Sequence, residues 1–458
     1  MIVDEKWPVA RLIPITSASG VEAQERNAAS ALLAVMANVK EFGRAILRPL
    51  GAHSGRIQTF VEVPFVLDGK KIRPDGLITV THGSKTWTAL VEAKVGTAAL
   101  EPNQMNAYLD IAREKGFQAV LSISNHYVTA SSAYPIEVDR RKLRKVNLFH
   151  RSWIDVLTEA VVQKEHRGVS DPDQAYILSE LIRYLSDPRS GVVTFNNMGP
   201  GWTKVKDGAR SQTLRKTDES VVDVAARWDD LVRYVCLHLT MDLGRDVKPS
   251  ITRSEITPAA RLSNLTDSLA DQGVLYGALT VPDVAGTIRI KADLKARQLV
   301  WTTEVEAPKE GRSRGRVSWL VRQLLEAPDD TRIEAKIARS QSSLAESLGK
   351  VRTEPESIYP PSDRDIRGFD VSFARNMGVK KDASKGSFIE TVLSGTEDFY
   401  RLILQNLKPW KAPPPKLRPK EQAEDIVDEV PTAVRAEVER AHEEQSESAN
   451  DAASSGGA

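Results

Sequence analysis

The chain has 458 residues, of which 41% are hydrophobic and 27% charged, a composition that excludes fibrous and wholly disordered classes and a length that predicts two or three globular domains. The net charge of +1 is unevenly spread: eleven acidic and three basic residues from Lys420 onward give that end −8 and leave +9 before it, a balance that suits a phosphate-bearing partner as well as ordinary solvated charge. There is no long uncharged apolar run, MIVDEKWPVARLIP has no basic leader ahead of an apolar stretch, and Cys236 is the only cysteine, so a soluble, cytoplasmic protein is expected, without membrane span, export signal or cysteine chemistry.

Apolar residues at Val21, Ala28, Leu32, Val35, Val39 and Ile46 recur at helical spacing and predict one long helix over 21–48, with Ser19 as its cap. TFVEVPFVL, KIRPDGLITV and TWTALVEAKV then have β character. Asp68-Gly69 and His82-Gly83-Ser84 punctuate them as turns, which predicts a meander of three strands. Glu101 to Lys115 returns to helical spacing, with Pro102 in the first turn and Gly116 at the end, and FQAVLSIS reads as a strand. The order helix, three strands, helix, strand predicts a mixed α/β sheet flanked by helices over 1–150.

Residues 151–245 are expected to be mainly helical, in SWIDVLTEAVVQKE, DQAYILSELIRYL and ESVVDVAARWDDLVRYVCLHL, with FNNMGPGWTKVKDGARSQ as a long loop. A second α+β domain is expected over 246–410, with strands in LYGALTVPDV, TIRIKADL, QLVWTTEVEA, TRIEAKIA and FDVSFARNM and helices in VSWLVRQLLE and FIETVLSGTEDFYRLILQNL. A proline-rich basic linker and a disordered acidic tail occupy 411–458 by composition.

The chemistry concentrates in VEAKV. Strand alternation sends Glu92 and Lys94 to one face, and a hairpin would bring the Asp75 carboxylate of the preceding strand beside Glu92. Two carboxylates held a few ångströms apart need a cation or a shared proton, and oxygen ligands of this kind favour Mg²⁺.

Pro74-Asp75, then 16 residues, then Glu92-Ala93-Lys94 resembles the signature of the PD-(D/E)XK nuclease superfamily, the restriction-endonuclease-like fold shared by RecB-like nucleases and Holliday-junction resolvases. The resemblance implies that Asp75, Glu92 and the Ala93 carbonyl hold Mg²⁺, with Mn²⁺ as a substitute, and that Lys94 positions or activates water. QERNAASALL in the opening helix is similar to the family's helical glutamate, which implies a role for Glu25, with Glu22 nearly one turn earlier as the alternative. Gln104 and Tyr108 match the Q-x-x-x-Y element of RecB-like members, which implies contacts to the site and to nucleic acid. An isolated Glu-x-Lys carries little weight, because solvated strand edges often alternate charge; the ordered set over residues 20–125 carries more.

Arg140, Arg141, Lys142, Arg144 and Lys145 follow the last expected core strand and read as a phosphate grip beside the site or as a solvated basic turn. Most tryptophans read as core. The scattered histidines, His53, His82, His126, His150, His166, His238 and His442, have no zinc-type spacing and receive no role. No phosphate-binding loop or serine-nucleophile elbow is present, so any ATP-driven translocation or targeting would come from a separate protein. Two functions are therefore expected in competition: a Mg²⁺-dependent nuclease acting on DNA, with defence or repair as settings suggested by the superfamily, and a catalytically inactive nucleic-acid-binding or regulatory module. Oligomeric state is not legible in the sequence.

Overall fold

The computed structural model describes Trp7, Ala10, Leu12 and residues 20–410 except 97, 127–135, 193–194, 362–363, 379 and 381–382. Ser19 and the linker and tail expected over 411–458 lie outside the described residues.

Helix α1 (Val21–Asn38) and helix α2 (Lys40–Leu47) replace the single helix expected over 21–48. The break falls at Val39, which is extended at φ −96° and ψ 92° while its amide still donates to the Val35 carbonyl. The Lys40 amide released by the break donates to the Gln174 side chain. Gly43 can then lie against the Met36 carbonyl, where any Cβ would collide. Val39, Phe42 and Ile46 stay buried in one core with the α1 residues Leu32, Val35 and Met36.

β1 (Arg56–Val61), β2 (Phe65–Leu67), β3 (Lys70–Ile72), β4 (Gly76–His82) and β5 (Lys85–Ala93) follow. The expected meander exists as β1-β4-β5, all antiparallel. The ends of its first two segments leave the sheet to make the β2-β3 hairpin. Glu62 at φ 50° and Pro64 stop the first strand, and Asp68-Gly69, with φ 49° and 76°, supply the left-handed turn.

Helix α3 (Pro102–Lys115), ended by left-handed Gly116, leads to β6 (Ala119–Ser124), parallel to β5. An unexpected fifth strand, β7 (Asn147–Ser152), pairs parallel to β6. Its buried face carries Leu148, His150 and Ser152, two of them polar, so hydrophobic alternation gave no signal.

Helices α4 (Trp153–Val162) and α5 (Pro172–Ser186) pack with α1 on one face of this mixed sheet, and α3 covers the other. Covered on both sides, β6 is buried throughout. The stretch expected as a long loop holds α6 (Trp202–Ser211), whose buried face of Trp202, Val205 and Ala209 is short and interrupted by charge. Helix α6 and α7 (Glu219–Leu243) belong to a different core from α4 and α5, so the middle helices are shared between two cores. Cys236 on α7 is buried, and burial pushes its thiol up to about 12, as an inert small hydrophobe requires.

The remaining elements are β8 (Lys248–Pro249), α8 (Pro258–Gln272), β9 (Val274–Thr280), β10 (Ile288–Asp293), β11 (Gln298–Glu306), α9 (Ser313–Val321), β12 (Arg332–Ile337), β13 (Ser343–Ser347), α10 (Leu348–Thr353), β14 (Ile366–Asn376) and α11 (Phe388–Leu402). The expected strands and helices are present, and β8, α8, β13 and α10 are additions. An antiparallel sheet runs β13-β12-β14-β11-β10-β9-β8. Along β11, Leu299, Trp301, Thr303 and Val305 are buried while the alternate positions are more open. The open face carries an ion-pair network in which Arg289 and Lys336 each contact Glu304 and Asp370. One face is thus core and the other solvated, the usual economy of an antiparallel sheet. Among the described residues no helix is long and apolar enough to cross a membrane, and the described residues through Trp410 form one compact unit.

Gly395 of α11 lies directly on the Trp301 indole, whose Nε1 donates to Thr396 Oγ1 at 2.9 Å. Alanine would gain about 1 kcal/mol of helix propensity, but overpacking against a buried ring costs roughly 1–3 kcal/mol. Gly395→Ala is therefore expected to lower the denaturant midpoint. A midpoint equal to or above that of the wild type would show that the indole shifts freely.

Candidate functional site

The site forms where β5 runs past the end of its partner. β4 stops pairing at Gly76, opposite Val91, so the Ala93 amide on that side has no backbone acceptor. The Asp75 carboxylate takes it, with Ala93 N donating to Asp75 Oδ2 at 2.8 Å. Asp75 sits just before β4, after Pro74 has interrupted the chain, rather than within a strand as expected. Gly76 lets α1 approach at this point: a Cβ there would lie 2.5 Å from Leu33 Cδ1 and 3.2 Å from Val91 Cβ. That approach sets the first turns of α1 against the end of β5. Glu25, 8% exposed, accepts from Lys94 Nζ at 3.4 Å and from the Val95 amide at 3.5 Å. Glu22 is exposed one turn earlier, so of the two glutamates Glu25 is the one at the site.

Glu92 is 1% exposed on the α3 side of β5. Lys94 Nζ lies 2.9 Å from its Oε1, and the Tyr108 hydroxyl donates to its Oε2 at 2.8 Å. Gln104 Nε2 donates in turn to the Tyr108 oxygen at 2.9 Å, across one turn of α3. Seven residues singled out in the sequence, Glu25, Asp75, Glu92, Ala93, Lys94, Gln104 and Tyr108, are therefore brought together by α1, α3, the end of β5 and the residue before β4. An extended residue presents its N–H and C=O to the same side of the strand, so the Ala93 carbonyl also lies on the side facing Asp75.

Electrostatics follow from this packing. Burial, with Glu92 nearby, pushes the Asp75 carboxyl up to about 7 against the pull of the Ala93 amide and Lys94. Burial alone would lower the Lys94 ammonium, but Glu92, Asp75 and Glu25 together hold it above its ordinary value, so it stays charged. Burial and the Glu92 charge raise the Tyr108 phenol, which keeps it a hydrogen-bond donor. Three carboxylates thus face one ammonium. Among the described residues the second Asp75 oxygen has no hydrogen-bond donor, and the all-oxygen donor set has the hardness that Mg²⁺ or Mn²⁺ requires.

Several supporting residues had no signal in the sequence. Ser122 is paired with Glu92 across β5 and β6, and His150 with Ser122 across β6 and β7. The Ser122 hydroxyl and His150 Nδ1 are 2.9 Å apart, and His150 Nε2 is 3.1 Å from the His126 carbonyl. Burial pushes the His150 imidazole down to about 4, leaving a neutral ring in line with Glu92. Trp153 Nε1 donates to the Lys94 carbonyl at 2.8 Å, and the Gly96 amide donates to the Gly191 carbonyl at 2.7 Å. Both fix the end of β5.

The basic cluster is placed differently from expectation. It precedes the core strand β7 rather than following the last one. Lys142 donates to Asp110 at 2.6 Å and to the Asn106 carbonyl at 3.3 Å, and Arg141 pairs with Asp139. Those two side chains tie the turn to α3 and to itself. Arg140, Arg144 and Lys145 are exposed, and none of the five contacts the carboxylates among the described residues.

No family model, curated protein or solved structure matches the chain.

The Asp75 carboxyl gives a pH signature. Its folded value near 7 exceeds the ordinary 3.8, so the metal-free fold binds the extra proton and is favoured at low pH. That stability is lost as pH rises from about 4 through 7. Asp75→Asn removes the buried charge and is expected to stabilise the metal-free protein at pH 8 by roughly 2–4 kcal/mol, with little effect at pH 4. Equal losses of stability at both pH values in melting curves would show that the Ala93 contact outweighs the buried charge.

Proposed function

We propose that the chain is a metal-dependent nuclease that hydrolyses phosphodiester bonds in DNA. The observation that carries this is the convergence of Asp75, from just before β4, and Glu92, from β5, with Glu25 and Lys94, a surplus of buried negative charge around one ammonium. A mixed sheet with a helix before its meander and another between β5 and β6 supports it as well, since that is the order the superfamily resemblance implies.

Asp75, Glu92 and the Ala93 carbonyl would hold Mg²⁺ or Mn²⁺, with Glu25 at the edge of the shell. When bound, the ion would lower the pKa of water and stabilise charge developing on the phosphate. Lys94, fixed by Glu25 and Glu92, would orient the attacking water and offset charge on the phosphoryl oxygens. Tyr108, held by Gln104, would keep one Glu92 oxygen in place and leave the other facing Lys94. Arg140, Arg144 and Lys145 would attract the phosphate backbone at a distance from the chemistry. Defence against foreign DNA and DNA repair are the settings that suit such an activity, with any targeting or ATP-driven partner supplied by another protein.

Glu92→Gln and Lys94→Ala are both expected to abolish cleavage, by different routes. Glu92→Gln removes a charged ligand, so Mg²⁺ affinity falls with activity. Lys94→Ala leaves both carboxylates, so metal binding persists or tightens while hydrolysis drops by about 10²-fold or more. Calorimetry with Mg²⁺ or Mn²⁺ beside a cleavage assay on plasmid, linear and single-stranded DNA separates the two. Full cleavage by Lys94→Ala, or no divalent binding by the wild type at millimolar concentration, would overturn the nuclease and leave a binding module.

A further inference from the structure

A second group of ligand-type side chains lies away from this site. His238 and Asp242 project from one face of α7, four residues apart, and Glu397 faces them from α11. His238 Nδ1 is 3.4 Å from Asp242 Oδ2 and 3.2 Å from Glu397 Oε1. One ligand atom from each residue lies within 4.8 Å of the other two.

Two further observations separate this group from an ordinary ion pair. The His238 Nδ1 atom is buried, and although it lies within ion-pair distance of both oxygens it meets neither in hydrogen-bond geometry. In addition, neither carboxylate has a lysine or arginine partner among the described residues. The nearby Asp398 takes both Arg375 and Arg401. Three ligand atoms thus converge with no lysine or arginine among the described residues to join them.

The distances have a specific size. A tetrahedral ion with bonds of about 2.0–2.1 Å separates its ligand atoms by about 3.3 Å, the spacing found from Nδ1 to both oxygens. From this geometry we infer that His238, Asp242 and Glu397 form a binding site for a divalent transition metal of the zinc class. One imidazole nitrogen and two carboxylate oxygens suit Zn²⁺ or Co²⁺ better than Mg²⁺, which takes oxygen in octahedral geometry. Asp242 is exposed, so the fourth position opens to solvent. The Tyr234 ring, edge-on at 6.2 Å one turn before His238, limits the imidazole's rotation. A bound ion would staple α7 to α11. Since Tyr234 packs against both cores, the staple sits where the two meet.

The site is independent of the proposed nuclease centre, and the test keeps them apart. Full-length protein freed of metal by a chelator is titrated with Co²⁺, followed by its visible d–d absorption, then with Zn²⁺ by calorimetry and by melting temperature. Wild type is expected to show one Co²⁺ per chain with the intense absorption of tetrahedral coordination, apart from any ion held at the Asp75–Glu92 centre, and to melt higher with Zn²⁺. His238→Ala should lose this binding, and Glu397→Gln should weaken it about tenfold or more. Glu92→Gln should retain it unchanged. Absence of saturable binding by the wild type at roughly 100 µM metal, or binding of undiminished strength in a folded His238→Ala protein, would overturn the site and leave an ion pair only. If His238→Ala fails to fold, the Glu397→Gln titration and the wild-type Co²⁺ spectrum decide.

Discussion

A buried Glu92 carboxylate constrains the N-terminal half of this molecule. A charge at the centre of a sheet covered on both faces costs several kcal/mol unless it is paired and hydrogen-bonded. The compensating groups are Lys94, two residues on, and Tyr108 from α3, while Glu25 from α1 shares the Lys94 ammonium. Asp75 adds a second carboxylate a short way off, bonded to the Ala93 amide. The result is more negative charge than the protein itself neutralises. Such an arrangement is costly for stability and suited to holding a cation, which is the combination expected where function rather than packing selects the residues.

Packing makes that arrangement rigid. Gly76 permits close approach of α1, Trp153 fixes the Lys94 carbonyl, and the Gly191 carbonyl takes the next free amide beyond β5. Strand β7 and the helices that follow it complete the face against which α1 is seated. The position of Glu25 therefore depends on residues far beyond the segment that carries the chemistry.

The second sheet obeys a different economy. It buries one face against α7, α8 and α11 and exposes a charge network on the other. Tyr234 on α7 packs against both hydrophobic cores. Residues of α7 thus meet each half of the described chain, and the inferred metal group lies on the same helix.

Most of the regular elements were legible in the sequence, because amphipathic periodicity and turn residues act over a few residues. The Asp68-Gly69 turn, Gly116 at the end of α3, and the alternation through Thr280 to Asn376 are of this local kind. Glu92, Lys94, Gln104 and Tyr108 were legible for the same reason: a strand period of two and one turn of helix set their relations before any folding. Beyond Asp75, placed by the hairpin, and Glu25, implied only by the family resemblance, local pattern did not supply what distant partners decide. The break at Val39, strand β7 with its polar inner face, and helix α6 each reflect tertiary contacts that override a weak local pattern. The basic cluster reads from sequence as either a phosphate grip or a solvated turn, and only the fold supplies Asp110 and Asp139 to hold two of its members. The row from Glu92 through Ser122 to His150 exists only because parallel strands align residues 28 to 30 apart in sequence. His238 and Asp242 stand one helical turn apart, a spacing that singled out neither of them. Glu397, on another helix, joins them only in the folded chain, because proximity across 155 residues is set by how helices pack and by no feature of either segment alone.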